Sequence, residues 1–212
     1  MPIVHLSPYG APKYADGVAV AASVATLAAL KALPAADPAH VHGNEVLVDE
    51  DQSRWYYHAT STVTGDDILV VDPTNASGRW LRVPGTVDLK LPIGHATADG
   101  ATLLTMPAGA RMIVRRCYWE VTTAFTGGSS SAIGLAGPSP HNTAGDLLGG
   151  SGGDVEATLT AGVKLGTIGA DTAAGVLLKA TETVTFERIT SAFTAGAGYA
   201  HVVGDLVLNP GA

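Results

Sequence analysis

The chain has 212 residues, enough for one large domain or two small ones with a buried core. Only 15% of the residues are charged, against roughly 25% in an average globular domain, and 26 glycines fill part of the difference. This composition suits a sandwich or barrel whose outer faces touch other subunits, and argues against a freely diffusing domain. The net charge of −7 and the lack of a long Lys/Arg tract argue against nucleic-acid binding.

The single cysteine, Cys117, excludes an intramolecular disulfide and fits folding in a reducing cytoplasm. The first ten residues lack the basic and apolar regions of a signal peptide. The most apolar run, residues 18–33, is mostly alanine and is too short and too weakly apolar to span a bilayer. We therefore expect a protein that is made in the cytoplasm and does not bind a membrane.

The N-terminal region, residues 1–40, is predicted to hold an arm and one helix. Residues 1–15 are proline-rich and have no period, which indicates either an arm ordered only against a partner or a frayed terminus. The helix is predicted from Asp16-Gly17 to before Pro34, or in a shorter form that Ser23 caps and that begins at Val24. Its narrow apolar stripe would pack on the adjacent β-module or against copies of itself.

A small β-module is predicted over residues 41–91, with four strands at 45–48, 54–59, 67–71 and 79–83. Its four strands lie within residues 41–83, a stretch of about 45 residues that is too short for comfortable stability alone, so the module must pack against other parts of the chain or against other copies. Residues 84–100 read as a connector that contains one short strand, 87–91.

The third region, residues 92–212, alternates polar and apolar residues to the end. It predicts eight strands, the number in a jelly roll: 102–106, 110–123, 131–136, 155–160, 163–168, 175–180, 184–190 and 200–208. The imperfect alternation of residues 111–121 predicts a β-bulge, and residues 126–131 and 137–153 are long loops suited to contacts. The predicted fold is thus all-β: an N-terminal arm and short helix, a small β-module, and a C-terminal jelly-roll-like β-sandwich.

One stretch resembles a module of tailed-bacteriophage virion proteins. It runs from Val46-Leu47-Val48 through Trp55-Tyr56-Tyr57 and Asp66 to Pro73, and ends at Gly78-Arg79-Trp80-Leu81. In those proteins a short strand pair precedes a "GRWL" sequence, upstream of a larger β-domain. The order of arm, helix, GRWL module and Gly/Thr-rich sandwich is similar to that of capsid decoration (cement) proteins, head fibres and tail-fibre proteins.

This resemblance implies a homotrimer on the capsid surface of a virion, bound to major capsid protein subunits or to tail machinery, without catalysis. From the residues themselves, Trp55, Arg79 and Trp80 are expected to anchor the small module, with Trp80 buried. The candidate capsid contacts lie in the arm: Pro2, Ile3, Val4, Leu6, Pro8, Tyr9 and Tyr14.

Patterns that would support chemistry are weak throughout. His40 and His42 could chelate a metal, but Asp37, Asn44 and Glu45 are the only further ligands nearby, so we expect no metal or other cofactor. The acidic run Asp49-Glu50-Asp51 lacks the spacing of a calcium loop and reads as a solvated turn. Neither Ser129–Ser131 nor Cys117 shows a catalytic partner, and Gly149–Gly153 is followed by no phosphate-binding Lys-Ser/Thr pair. We therefore expect no enzyme.

Three functions are open to such a chain: capsid decoration, a role as a short tail fibre or adaptor, and polysaccharide hydrolysis. A capsid decoration protein would bind through its arm and helix, and its symmetry would multiply weak contacts into tight binding. A short tail fibre or adaptor would bind tail components or a host receptor through its sandwich loops, but the long loops contain no aromatic residue for sugar stacking. A polysaccharide hydrolase lacks any acid pair. The short length favours decoration.

Overall fold

The fold was analysed in a computed structural model, which describes residues 4–6, 12–14, 22–128, 131–143, 145–149, 154, 157–169, 172, 175–190 and 192–208. The chain divides into two compact units. The first comprises Met1–Pro84 with Pro107–Gly109 and Leu208–Ala212, and the second comprises Gly85–Met106 and Ala110–Val207. Both are built from strands, which confirms the predicted all-β class.

The first unit contains a hairpin and a five-stranded sheet. The hairpin pairs β1 (Val4–Leu6) with β2 (Pro12–Tyr14). The sheet has the order β3-β4-β5-β7-β6 and consists of β3 (Ala22–Val24), β4 (Glu45–Val48), β5 (Ser53–His58), β6 (Val70–Val71) and β7 (Arg79–Arg82). Only β3 and β4 are parallel; the other neighbours are antiparallel. Four of these strands, β4 to β7, lie where alternation and turn residues predicted them.

The predicted long helix is wrong. The described part of residues 16–33 contains strand β3 and only one short helix, α1 (Leu27–Lys31), and Asp16 and Gly17 lie outside the described residues. Thr26, and not Ser23, caps the helix by accepting a hydrogen bond from the Ala29 amide at 3.1 Å. The alanine-rich sequence favours a helix locally, but Val24 is buried in the strand that pairs with β4. Tertiary pairing therefore overrides helix propensity.

The helix packs on the β-module, which is one of the two arrangements that its apolar stripe predicts. Leu30 and Leu33 are buried in one apolar cluster with residues of the sheet, among them Val46, Trp55 and Trp80. A short 3₁₀ turn, Pro38–His40, adds Ala39 to this cluster. The small sheet thus gains the cover on one face that its size requires.

Gly78 precedes the buried Trp80 strand and cannot carry a side chain. Its φ is +100°, and an added Cβ would lie 2.7 Å from the carbonyl oxygen of His58. We expect Gly78→Ala to lower the free energy of unfolding by about 2 kcal/mol or more, because backbone strain and a steric clash combine. Gly43→Ala is the matched control, since Gly43 has φ +86° with nothing within 4 Å of the added Cβ. Equal losses for both variants in thermal unfolding would contradict the steric argument.

The second unit consists of a five-stranded and a four-stranded sheet that follow the jelly-roll order. Its strands are β8 (Gly85–Gly94), β9 (Ala101–Thr105), β10 (Ala110–Thr126), β11 (Ala132–Ala136), β12 (Leu148–Gly149), β13 (Gly162–Lys164), β14 (Val176–Leu178), β15 (Thr183–Ile189) and β16 (Ala195–Leu208). One sheet has the order β13-β10-β16-β8, with β14 pairing to the same strand as β13; the other has the order β12-β11-β15-β9. Strands β8 to β11 alternate between the two sheets as the chain proceeds, and the sheet orders match the two Greek keys of a jelly roll.

Some details of this unit differ from the predicted ones. The strand predicted at 87–91 extends over Gly85–Gly94 and pairs with β16, so the unit begins at Gly85 and not at 92. Residues 157–160 of the strand predicted at 155–160 form no strand, and 155–156 lie outside the described residues. Strand β12 lies inside the loop predicted at 137–153. Along β10 the buried positions change from even to odd numbers at Arg115 and Arg116, both exposed, where the bulge was predicted.

The buried residue Asp154 links one strand of each sheet to the segment that follows β13. Asp154 is fully buried; its Oδ1 accepts a hydrogen bond from Trp119 Nε1 at 2.7 Å, and its Oδ2 accepts one from the Thr167 amide at 2.9 Å. Its backbone carbonyl accepts a further bond from the Ile133 amide at 3.1 Å. Asp154 thus joins β10, β11 and the segment after β13 at one point in the core.

Candidate functional site

The three anchor residues of the GRWL module all make structural contacts. Trp80 is fully buried between the rings of Tyr57 and His40, with centroids at 5.1 and 5.5 Å. Arg79 Nε donates to the Val63 carbonyl at 2.8 Å and pairs with Asp72 Oδ1 at 2.5 Å. Trp55 Nε1 donates to Ser53 Oγ at 2.6 Å. These side chains are occupied in holding the module together and leave no group directed at a ligand.

The candidate capsid contacts of the arm are described only in part. Val4 and Leu6 lie in β1 and Tyr14 lies in β2, where Val4 pairs with Tyr14. Pro2, Ile3, Pro8 and Tyr9 lie outside the described residues. Among the described strands, β1 and β2 pair only with each other. The arm therefore has local β structure of its own, which its lack of periodicity did not predict.

The densest set of polar contacts lies on the outward side of the β13-β10-β16-β8 sheet. His201, on the central strand β16, has Nδ1 2.8 Å from Asp88 Oδ1 on β8 and Nε2 3.1 Å from Glu120 Oε2 on β10. Its ring stacks on that of Tyr118 with centroids 4.3 Å apart and planes 13° apart. Because both ring nitrogens face carboxylates, the geometry favours the doubly protonated imidazolium.

Two further groups complete this network, which we call the His201 network. Tyr118 Oη donates to Asp88 Oδ2 at 2.6 Å, and Lys90 Nζ pairs with Glu120 Oε2 at 2.8 Å. Lys90 also lies 4.2 Å from the ring centroid of Tyr199. The network thus spans three strands, β8, β16 and β10, and its side chains bond to one another across the sheet face.

These contacts shift the pKa values of the network in consistent directions. Burial of the His201 ring opposes protonation, but the hydrogen bonds to Asp88 and Glu120 outweigh it and raise the pKa of His201. Burial also opposes ionisation of Asp88, yet the bonds from His201 and Tyr118 lower the pKa of that carboxyl. The bonds from Lys90 and His201 lower the pKa of Glu120. Burial and the bond to Asp88 raise the pKa of Tyr118 to about 12.

The network contributes most to stability at mildly acidic pH. The raised pKa of His201 means that its contribution is complete below 6.5 and is lost as the pH rises through the folded-state pKa. The lowered pKa values of Asp88 and Glu120 mean that their contribution is present above their ordinary values of 3.8 and 4.5 and is lost as the pH falls through the folded-state values. The contribution of the network is therefore largest between pH 4.5 and 6.5.

We expect His201→Gln to be less stable than the unmodified protein near pH 5.5 by about 1 kcal/mol, because solvent screens the part-exposed carboxylates. This difference should shrink towards pH 9, as the pH rises through the raised pKa of His201, while Tyr118, whose pKa is raised to about 12, keeps its proton. Chemical unfolding at several pH values measures it. A stability difference that is the same at pH 5.5 and pH 9 would contradict the assignment.

The sequence showed half of this site. Thr86, Asp88 and Lys90 alternate with buried Val87, Leu89 and Leu91, so the polar side of β8 was predictable. In the sequence His201 is an isolated histidine, because nothing there indicates which strands are neighbours. Asp88 and Glu120 are brought to it only by the jelly-roll order, in which β16 lies between β8 and β10.

The other candidates from the sequence do not converge on a site. His40 Nδ1 lies 3.1 Å from the Pro34 carbonyl, whereas His42 packs against the ring of His58 at 4.5 Å. Among the described residues, no group of three or more His, Cys, Asp or Glu is placed to hold a metal ion. Cys117 is buried, and this burial raises the pKa of its thiol to about 12. Ser131 is also buried, whereas Ser129 and residues 150–153 lie outside the described part.

Comparisons of this chain with protein-family models, with curated proteins and with solved structures found no match. In the part of the chain that the structure describes, no helix has the length and apolar character needed to cross a membrane. The function of the chain is therefore inferred from its residues, its fold and the resemblance of the GRWL module.

Proposed function

We propose that this chain is a structural protein of a tailed-phage virion that decorates and stabilises the capsid by binding major capsid protein subunits. The observation that carries the proposal is the joining, in one chain, of a GRWL module of purely structural residues to a jelly roll. Trp55, Arg79 and Trp80 use their polar atoms and rings inside the module or have them buried there. What the described surface offers to other molecules is sheet faces, turns and a hairpin, which suit contacts with proteins.

The hairpin β1–β2 is the proposed capsid-binding element. Its two strands pair with no other strand among the described residues, so their outer edges can extend a sheet of a neighbouring protein. The candidate contacts Val4, Leu6 and Tyr14 belong to it. Several copies, assembled as a homotrimer, would bind together and turn modest contacts into tight binding.

Adding the purified protein to particles that lack it, followed by imaging, tests this proposal. Density at repeated positions of the capsid lattice is the expected result. Density only at the tail tip would overturn it in favour of a short tail fibre or adaptor that binds tail components or a host receptor.

Substitutions in the full chain test the role of the hairpin. Val4→Asp together with Leu6→Asp is expected to weaken binding to particles about tenfold or more, because apolar contact is replaced by charge. Val41→Asp is the matched control, since Val41 lies in the same unit and is 57% exposed. Unchanged binding of the double variant would exclude the hairpin as the contact.

A further inference from the structure

The outward side of the β13-β10-β16-β8 sheet has the opposite charge to the rest of the chain. Four cations and three carboxylates lie on it: Lys90, Arg111, Arg115 and Arg116, and Asp88, Glu120 and Asp205. The face therefore has a net charge of +1 before His201 is counted. Because the whole chain has a net charge of −7, the remaining residues carry −8.

Two of these cations form no ion pair among the described residues. Lys90 pairs with Glu120 at 2.8 Å and Arg115 pairs with Asp205 at 3.0 Å. In contrast, Arg111 and Arg116 have no carboxylate within ion-pair distance among the described residues; Arg116 lies 5.1 Å from the ring centroid of Tyr118, and its charge also acts on Asp88. Exposed arginines beside tyrosines are typical of protein interfaces.

The complementary charges lie on the turn between β4 and β5. Asp49 and Glu50 are both exposed, and they are the carboxylates of the described chain that have neither a hydrogen bond nor an ion pair. The turn itself is fixed: the amides of Asp49 and Glu50 donate to the carbonyls of Val24 and Ala25 at 2.9 and 3.1 Å. Two adjacent, unneutralised carboxylates are thus presented on an ordered backbone.

We propose that copies of this chain associate by docking the acidic turn Asp49–Asp51 of one copy on this sheet face of the next, opposite Arg111 and Arg116. The contact joins two different surfaces, so its repetition adds copies head to tail and gives a ring when the rotation between copies closes. Leu177 and Val207, which are 43% and 59% exposed on strands of the same sheet, add apolar area to the face. This inference rests on the proposed function in one respect only: the proposed function also has several copies of the chain assemble.

Sedimentation velocity over a range of protein and NaCl concentrations tests this contact. The unmodified protein is expected to associate at low salt and to dissociate as salt rises, because screening weakens the charge pairs. Arg111→Glu should raise the dissociation constant about tenfold or more. Arg188→Glu is the matched control: it makes the same charge change at an arginine on β15, in the other sheet of the same unit, and should change the constant by less than about twofold.

A charge exchange identifies the partner surface. Glu50→Lys alone should weaken association, and combining it with Arg111→Glu should restore most of the affinity, because the pair is re-formed with reversed signs. Circular dichroism of each variant checks that it is folded. A monomer at every concentration at low salt, equal effects of Arg111→Glu and Arg188→Glu, or no restoration in the double variant would each overturn the proposal.

The same variants separate this inference from the proposed function. If the protein is monomeric and still binds the capsid lattice, the association proposal fails and the decoration proposal stands. If rings form and the charge exchange restores them, but no particle is bound, the reverse holds.

Discussion

Replacing Asp154 by alanine is expected to destabilise the second unit by about 3 kcal/mol, since the buried Trp119 Nε1 and the part-buried Thr167 amide lose their acceptor. Asp154→Asn should cost less, because its amide oxygen can still accept one of the two hydrogen bonds. Calorimetry measures both losses as shifts of the unfolding transition, of about 4 °C or more per kcal/mol for a unit of this size.

Asp146→Ala provides the control for this effect. Asp146 Oδ2 also accepts a backbone hydrogen bond, from the Thr143 amide at 2.7 Å, but that bond is exposed to solvent. Water can replace the lost acceptor there, so the expected cost is less than about 1 kcal/mol. If Asp154→Ala and Asp146→Ala had the same effect, the buried carboxylate would not hold β10, β11 and the segment after β13 together.

Trp80→Ala is expected to destabilise the first unit by about 3–5 kcal/mol. The indole is fully buried against Tyr57 and His40, and the small sheet has few other large side chains to compensate for the cavity. A loss of this size approaches the whole stability of a small unit, so the first unit should unfold at a much lower temperature while the transition of the second remains.

Trp80→Phe separates the contribution of the ring volume of Trp80 from that of its Nε1–H group. The buried Trp80 Nε1 has no hydrogen-bond partner in the described structure, so phenylalanine loses volume but also removes an unsatisfied donor. We expect a cost of about 1–2 kcal/mol. Val41→Ala, at an exposed position, should cost less than about 0.5 kcal/mol. A small effect of Trp80→Ala in the same measurement would contradict the role of Trp80 as the anchor.

Most strands were predictable, because the alternation of polar and apolar residues is visible within each short stretch of sequence. Strand β4 occupies the predicted residues 45–48, where alternation is clear, and β7 ends one residue early at Arg82. The helix failed for the opposite reason: the alanines of residues 18–33 favour a helix, but the parallel partner of β3 lies more than twenty residues further along the chain. No local signal announces such a partner.

The site was less predictable than the fold. Asp88, Glu120 and His201 come from strands distant in sequence, and only the sheet order makes them neighbours. The polar alternation of β8 indicated an outward side, but not which side chains it would meet. In contrast, the burial of Trp80 followed from its size and its position between two turn signals, and the structure places it in the core.

The position of β16 has a consequence for how the second unit is synthesised. Gly85 on β8 pairs with Leu206 on β16, so β8 leaves the ribosome long before the strand that must lie beside it. Until β16 is complete, both β8 and β10 present an unpaired edge, and the sheet face that holds the His201 network does not exist. Such long-range pairing slows folding and leaves the nascent chain exposed to aggregation. The second unit can therefore reach its native sheet order only after the last strand has left the ribosome.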